Sequence, residues 1–576
     1  MNSIAWKDLS VSSNIASDIA VCEAAPGQAK ITVRWEKMEA DAPRLTIEWA
    51  LPLKDIQYEW YPRCGKSRSL HVDWFGPEKS RISSGAPVFC FYNAAGRSRF
   101  TMALSDVLTE IDSSLGVREE DGTLACKVEI PLDKTGLTHE YSVILYRDYD
   151  DISFAEALRR VSLWWEKDCG LTPMPVPDVA RLPLYSAWYS FHQATIAHEI
   201  EAECALAAKL GIKAVIVDDG WQTADGSRGY GYCGDWQPTP EKIPDMAAHV
   251  RRVHDLGMKY ILWYSVPFVG EWSEHWETFK DKLVKFIPHQ HAGVLDPRYP
   301  EVRQYLISTY ENALRDWDLD GFKLDFIDSF GATSYAPAPA PGMDYITLED
   351  GVLRLMTDVM NALRAIKPDI LIEFRQSYIG PAMRTYGNMF RVGDCPADPI
   401  SNRVGVIDLR LLSGNTAVHS DMLMWHKEDD VENAARQVLS VIFGVMQVSV
   451  RLEDIPEDHL KMVSFWCDFM AKHRALLAAP MEVESPENLY PIARTRLHEE
   501  EAIAVYDRHV VTLSDAPTIY LFNATADDFL ILRAEEAKER TACLFNCMGE
   551  AVGEVSLPAS PLIELKLPVC GFAILR

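Results

Sequence analysis

The stretch Gly321-Phe322-Lys323-Leu324-Asp325-Phe326-Ile327-Asp328 sets a cation and an anion two residues apart. Read as a strand, it puts Lys323 and Asp325 on one face and Phe322, Leu324 and Phe326 on the other, because side chains alternate with period two. A buried parallel strand normally carries apolar residues on both faces. Two charges at its end need a polar cavity and partners, since burying either alone costs on the order of several kcal/mol. A structural ion pair is the alternative. In a chain of alternating strands and helices, a strand's C-terminal end favours a site.

Polar and aromatic residues recur where other strand-like runs end. Trp188-Tyr189, Asp218-Asp219-Gly220-Trp221, Trp263-Tyr264, Glu373-Phe374-Arg375 and Arg391-Val392-Gly393-Asp394 all sit at such points. Together with Lys323 and Asp325 they would ring one cavity with carboxylates, cations and indoles, which is what a sugar pocket requires. Adjacent Asp218 and Asp219 repel each other, so hydroxyls, Lys323 or Arg375 are expected to engage their lone pairs. One of the two could equally cap a loop. Arg375 offers five donors and keeps its charge, so it needs acceptors. Pairing with Asp218, Asp219 or Glu373 would make it scaffold; donating to a substrate would make it a determinant of specificity.

These positions must be held by a regular frame. Strand-length apolar runs occur at 184–189, 214–217, 260–264, 321–325, 370–374, 389–392, 416–418 and 445–450. Amphipathic segments at 195–210, 245–256, 301–317 and 353–366 lie between them. Eight such units predict a (β/α)8 barrel over residues 180–480, with an open doubly wound sheet as the alternative. Short alternating runs before it, such as Leu124–Ile130, predict an N-terminal β-sandwich over 1–170. A helix over 153–167 and a proline-rich linker at 171–177 should connect the two. Strand periodicity returns after about residue 480 and predicts a small C-terminal β domain over 485–576.

Composition excludes several classes. The 576-residue chain is 48% hydrophobic and 24% charged, with a net charge of −27. Nucleic acid and an anionic membrane surface would both repel it. The opening residues contain no basic stretch leading into an apolar core, so a cytoplasmic enzyme is expected. The twelve cysteines are scattered and read as buried thiols. His289 and His291 lack further ligands nearby, so no metal is expected. Gly229-x-Gly231-x-x-Gly234 spells a dinucleotide fingerprint but runs into Asp235-Trp236-Gln237-Pro238 instead of a helix, so no nucleotide cofactor is expected. Assembly into a homo-oligomer is left open.

The motifs Asp218-Asp219-Gly220-Trp221, Gly234-Asp235-Trp236-Gln237-Pro238, Lys242-Ile243-Pro244, Gly257-Met258-Lys259, Leu262-Trp263, Val294-Leu295-Asp296-Pro297 and Gly321-Phe322-Lys323-Leu324-Asp325 together resemble glycoside hydrolase family 36. That family includes melibiase-type α-galactosidases and raffinose synthases. The resemblance covers about residues 185–425. It implies an oligosaccharide or glycoside substrate and retaining hydrolysis by two carboxylates, with no cofactor. It also implies that Asp325 is the nucleophile and Asp394 the acid/base. Asp218, Asp219, Trp188, Trp263 and Lys323 would then line the sugar site. Retention expects the two carboxyls about 5–6 Å apart. Lys323 should keep Asp325 ionised, and Asp394 should have a raised pKa to hold its proton.

The sequence also departs from the family. Its members usually follow the fifth strand with a Cys-Ser-Gly-Gly-type loop that handles the C2 substituent, where this chain has Glu373-Phe374-Arg375-Gln376-Ser377-Tyr378. Arg391 stands where a tryptophan is usual. Asp398 and Arg403 follow Asp394 at a wider spacing, the N-terminal domain is shorter, and Gln222 follows Trp221 as in raffinose synthases. The chemistry is thus implied more firmly than the sugar. A transglycosidase, an α-glycosidase for a modified sugar and an inactive carbohydrate-binding barrel are the alternatives.

Overall fold

A computed structural model describes residues 2–38, 42–134, 139–534 and 539–576. Its centre is a closed barrel of eight parallel strands, in chain order around the ring. They are Leu184–Ser186, Ala214–Val217, Lys259–Ser265, Gly321–Asp325, Leu371–Arg375, Met389–Arg391, Ala417–Leu423 and Val445–Val448. The open-sheet alternative is excluded by this closure.

All five residues of Gly321–Asp325 are buried, charges included. Two neighbouring strands set its register, with Ser265 opposite Asp325 and Lys323 opposite both Trp263 and Glu373. Gly321 permits this pairing, because a Cβ there would lie 2.1 Å from the Leu371 carbonyl oxygen. The first strand ends at Ser186 instead of running to Tyr189, and Trp188 opens a short helix, Trp188–Phe191. The seventh strand runs to Leu423, well past the expected Val418.

Helices pack outside the ring through apolar stripes. Leu348–Ile366 begins five residues earlier than its periodicity suggests, because the Thr347 hydroxyl accepts the Asp350 N–H as an N-cap. A three-stranded antiparallel sheet, Phe268–Gly270, Leu283–Ile287 and Ala292–Leu295, is inserted after the third barrel strand.

Two six-stranded antiparallel sheets precede the barrel. One apolar core draws on both, with Ile47 and Val128 from one and Ile31 and Val143 from the other. Thr123–Pro131 alternates buried and half-buried residues along its whole length, as its sequence predicts. A seven-stranded and a three-stranded sheet follow the barrel. Among the described residues, no helix is long and apolar enough to cross a membrane.

Candidate active site

Asp325 is the most heavily engaged carboxylate at the barrel's C-terminal end. Its Oδ1 accepts from Arg375 Nε at 2.5 Å, from its neighbour's Phe326 N–H at 2.7 Å and from the Tyr378 hydroxyl at 3.3 Å. Among the described residues, its Oδ2 accepts only from Trp263 Nε1, at 3.1 Å. Burial alone would raise its pKa, but Arg375 and then Lys323 outweigh that and hold the carboxyl far below the usual range. Asp325 is therefore an ionised, fixed anion.

Lys323 engages one of the adjacent aspartates, as expected, rather than bonding directly to Asp325. Its Nζ donates to Asp218 Oδ2 at 2.5 Å, and both groups are buried. The two-residue phasing brings Lys323 and Asp325 to one face, but the end of the second strand, two places away around the ring, supplies the acceptor. Asp219 points elsewhere, and its two oxygens accept from Gln193 Nε2 and Gln222 Nε2, each at 2.7 Å. Burial pushes its pKa up to about 6 against those hydrogen bonds. Gly220 has φ near +110°, and a Cβ there would lie 2.5 Å from Gln193 Cα, so glycine lets the turn close over Gln193. Lys242, from the motif Lys242-Ile243-Pro244, clamps that turn by donating to the carbonyls of Gln193 and Gly220.

Arg375 pairs with none of the acids expected of it. Besides Asp325 it reaches Asp328 at 3.7 Å, donates to the Gln376 carbonyl at 2.8 Å and lies over the rings of Phe326 and Tyr378. Its fifth-strand position puts it beside the end of the fourth strand, not across the barrel.

Arg391 is a second hub. Fully buried, it donates to Asp421 Oδ1 at 2.5 Å and to Asp394 Oδ1 at 2.9 Å, and its Nε lies 3.8 Å from Glu373. Asp394 sits three residues beyond the sixth strand, with its side chain 58% exposed. Its pKa is lowered, not raised as expected: Arg391 and then Lys323 outweigh the effect of burial. Glu373 behaves in the opposite way. Wholly buried, it is pushed up to about 7 by desolvation, and Gln447 Nε2 donates to its Oε2 at 2.5 Å.

Sequence reading missed Asp421, Tyr378 and Gln447. Asp421 accepts from the Tyr189 hydroxyl at 2.9 Å and from the Cys395 N–H at 2.6 Å, so it ties down the loop bearing Asp394. The run His419-Ser420-Asp421 inside an otherwise apolar strand is the signal that could have revealed it. Trp263 is buried with its ring 6.3 Å from Tyr230, whereas Trp188 is half-buried and packs edge-on to His192. Trp221 braces this wall from behind by donating to the Trp263 carbonyl at 2.9 Å. Among the described residues no group of three or more His, Cys, Asp or Glu side chains could hold a metal.

Comparisons with known proteins agree with this frame. The chain is 24% identical over 208 residues to alpha-galactosidase 2 of Pediococcus pentosaceus, covering 34% of this chain and 28% of that protein. It is 29% identical over 178 residues to alpha-galactosidase Mel36A of Lactobacillus acidophilus, covering 29% of this chain and 23% of that protein. These matches thus span about a quarter of the relatives' own length. Two solved structures share the fold over 99% of this chain. One is the alpha-galactosidase from Lactobacillus brevis, at 14% identity over 82% of that chain with a TM-score of 0.65. The other is a variant of the GH36 alpha-galactosidase AgaA from Geobacillus stearothermophilus in complex with raffinose, at 17% identity over 81% of that chain with a TM-score of 0.62. The Melibiase family model matches residues 184–479, slightly more than half of the chain, and the chain belongs to that family.

Proposed function

We propose that the protein is a retaining α-glycosidase of the α-galactosidase kind, with Asp325 as nucleophile and Asp394 as acid/base. One observation carries this reading. Asp325 is buried, ionised and aimed by four donors at the end of a barrel strand, while Asp394 hangs from the sixth strand's loop, half open to solvent.

Each step follows from that asymmetry. Oδ2 of Asp325 has one donor against three on Oδ1, so it is the freer oxygen to attack the anomeric carbon. The bond to the leaving oxygen breaks as that oxygen takes the Asp394 proton. A water then attacks the glycosyl ester, gives its proton to Asp394 and returns Asp325 as carboxylate. Arg375 and Trp263 keep the nucleophile's charge in place while positive charge develops on the sugar.

Asp394 must be protonated in the first step. Arg391 opposes this in the free protein, although water screens a side chain so exposed. A sugar placed against Asp394 would displace that water and favour the neutral acid. Lys323 with Asp218, and Asp219, are then the groups that bind sugar hydroxyls.

The test is the anomeric configuration of the first-formed sugar, followed by proton NMR during hydrolysis of p-nitrophenyl α-D-galactopyranoside. Retention is expected, with the Asp325 and Asp394 carboxyls about 5–6 Å apart. An inverted product would overturn the mechanism. A transglycosidase is the second reading, supported by Gln222 on Asp219. Transfer to an added sugar that outpaces hydrolysis would favour it.

A further inference from the structure

Three arginines converge on a niche of about 40 Å³ at the N-terminal end of the barrel, away from Asp325. Arg181 lies just before the first strand, and residues 416–418 and 444–445 lead into the seventh and eighth. The niche therefore sits on the seam where the first and eighth strands pair and the ring closes. Arg410 and Arg474 come from the last turns of the helices Pro399–Leu412 and Glu457–Leu477.

The charges there do not balance. Arg410 donates to the Leu477 and Ala479 carbonyls at 2.8 and 2.7 Å and to that of Phe443, all neutral acceptors. Arg181 donates to the carbonyl and side-chain oxygens of Asn415. Among the described residues no carboxylate forms a direct ion pair with either arginine, and Arg474 reaches only Asp178, at 3.7 Å and largely in water. The end of the helix Glu457–Leu477 adds roughly half a negative charge. An excess of positive charge remains, in a chain whose net charge is −27.

Burial pulls the Arg410 guanidinium down to about 10, with Arg181 adding to the shift, and lowers Arg181 as well. Both stay cationic at neutral pH, and a cation partly withdrawn from water without a counter-charge is costly. Unused donors line the same niche. The Thr416 side chain is 3% exposed, and its hydroxyl has no partner among the described residues. Nε and Nη1 of Arg181 and the amide nitrogen of Asn415 have none there either. Such a set of charged and neutral donors matches the several acceptor lone pairs of one oxyanion. A water needs ~10–15 Å³ of such space, so about 40 Å³ holds about three waters or one compact oxyanion, and too little for a sugar ring.

We propose that this niche binds one small oxyanion of the size of inorganic phosphate, which balances the arginines and ties the barrel's seam together. Its effect is on stability and not on turnover, because function gathers at the opposite, C-terminal face of such barrels. The assignment holds whichever glycoside that face accepts.

The experiment titrates inorganic phosphate into the full-length protein and into Arg181→Gln and Thr416→Val by isothermal calorimetry at constant ionic strength, with chloride as the control anion. Thr416→Val keeps the side chain's shape and removes only the hydroxyl, so it tests the site even if Arg181→Gln melts early. Phosphate is expected to bind the unaltered protein once per chain and to raise its melting temperature, since it binds the folded state alone. Its Kd is expected to rise at least ~tenfold in Arg181→Gln and ~threefold in Thr416→Val. Phosphate should leave kcat/KM for p-nitrophenyl α-D-galactopyranoside unchanged. No binding to the unaltered protein, equal affinity in all three proteins or an equal response to chloride would overturn the assignment. Competition between phosphate and the galactoside would also overturn it, by placing the anion at the Asp325 end of the barrel.

Discussion

At the scale of single residues, the proposed chemistry depends most on Arg375, which holds Asp325. Its guanidinium spans Asp325 and the Gln376 carbonyl at once, which a lysine's single ammonium cannot reproduce in that geometry. Arg375→Lys is expected to lower kcat and kcat/KM together by about 1–3 kcal/mol of transition-state stabilisation, with KM little changed. The pH profile gives an independent sign. Arg375 lowers the pKa of Asp325, so weakening it raises that pKa and moves the acidic limb of kcat/KM to higher pH. A lower melting temperature with an unshifted acidic limb would make Arg375 scaffold alone. The sequence signalled that Arg375 needed acceptors, but not which ones. That choice depends on strand register, which puts Arg375 opposite Arg391 and leaves Asp325 as its acceptor.

At the scale of elements, the eight barrel strands were legible because each is a short apolar run between amphipathic stretches. Gly321–Asp325 and Ala214–Val217 agree with expectation to the residue. The inserted antiparallel sheet was not legible, since Leu283–Ile287 mixes buried and exposed residues without a clear period. The glycine spelling near 230 has a packing cause instead. A Cβ on Gly231 would come within 2.4 Å of the Trp272 ring, so glycine lets the indole lie on the backbone. Asp398, distant from the expected motif spacing, turns out to cap the helix Pro399–Leu412, accepting from the N–H groups of Ile400 and Ser401. Asp398→Ala is expected to cost about 1 kcal/mol of stability, the typical worth of such a cap. Thermal melting checks this, and an unchanged melting temperature would mean that the cap adds nothing.

At the scale of the whole molecule, one buried node joins the three parts of the chain. Asp408 of the barrel accepts from Trp60 Nε1 at 2.9 Å, from Arg68 Nη2 at 3.2 Å and from the Tyr490 hydroxyl. Trp60 and Arg68 precede the barrel and Tyr490 follows it, so the helix Pro399–Leu412 is tied to segments on both sides of the barrel in the chain. Removing Arg68 leaves Asp408 buried without its cation, at a cost of about 3–5 kcal/mol. Arg68→Ala is therefore expected to lower the melting temperature markedly. A melting curve that superimposes on that of the unaltered protein would show that the node does not bind the parts together. No local sequence pattern could reveal this node, because Trp60 and Arg68 lie 348 and 340 residues before Asp408, and Tyr490 lies 82 residues after it.

The central claim is that Asp325 becomes covalently glycosylated, and trapping that intermediate tests it most directly. The protein would be incubated with a fluorinated α-galactosyl fluoride that slows hydrolysis of the glycosyl-enzyme, then digested and mapped by mass spectrometry. The account predicts one added sugar per chain, on the peptide containing Gly321–Asp325 and at Asp325, and no label in Asp325→Ala. A label on Asp394, Asp218 or any other carboxylate, or inactivation without covalent attachment, would contradict it.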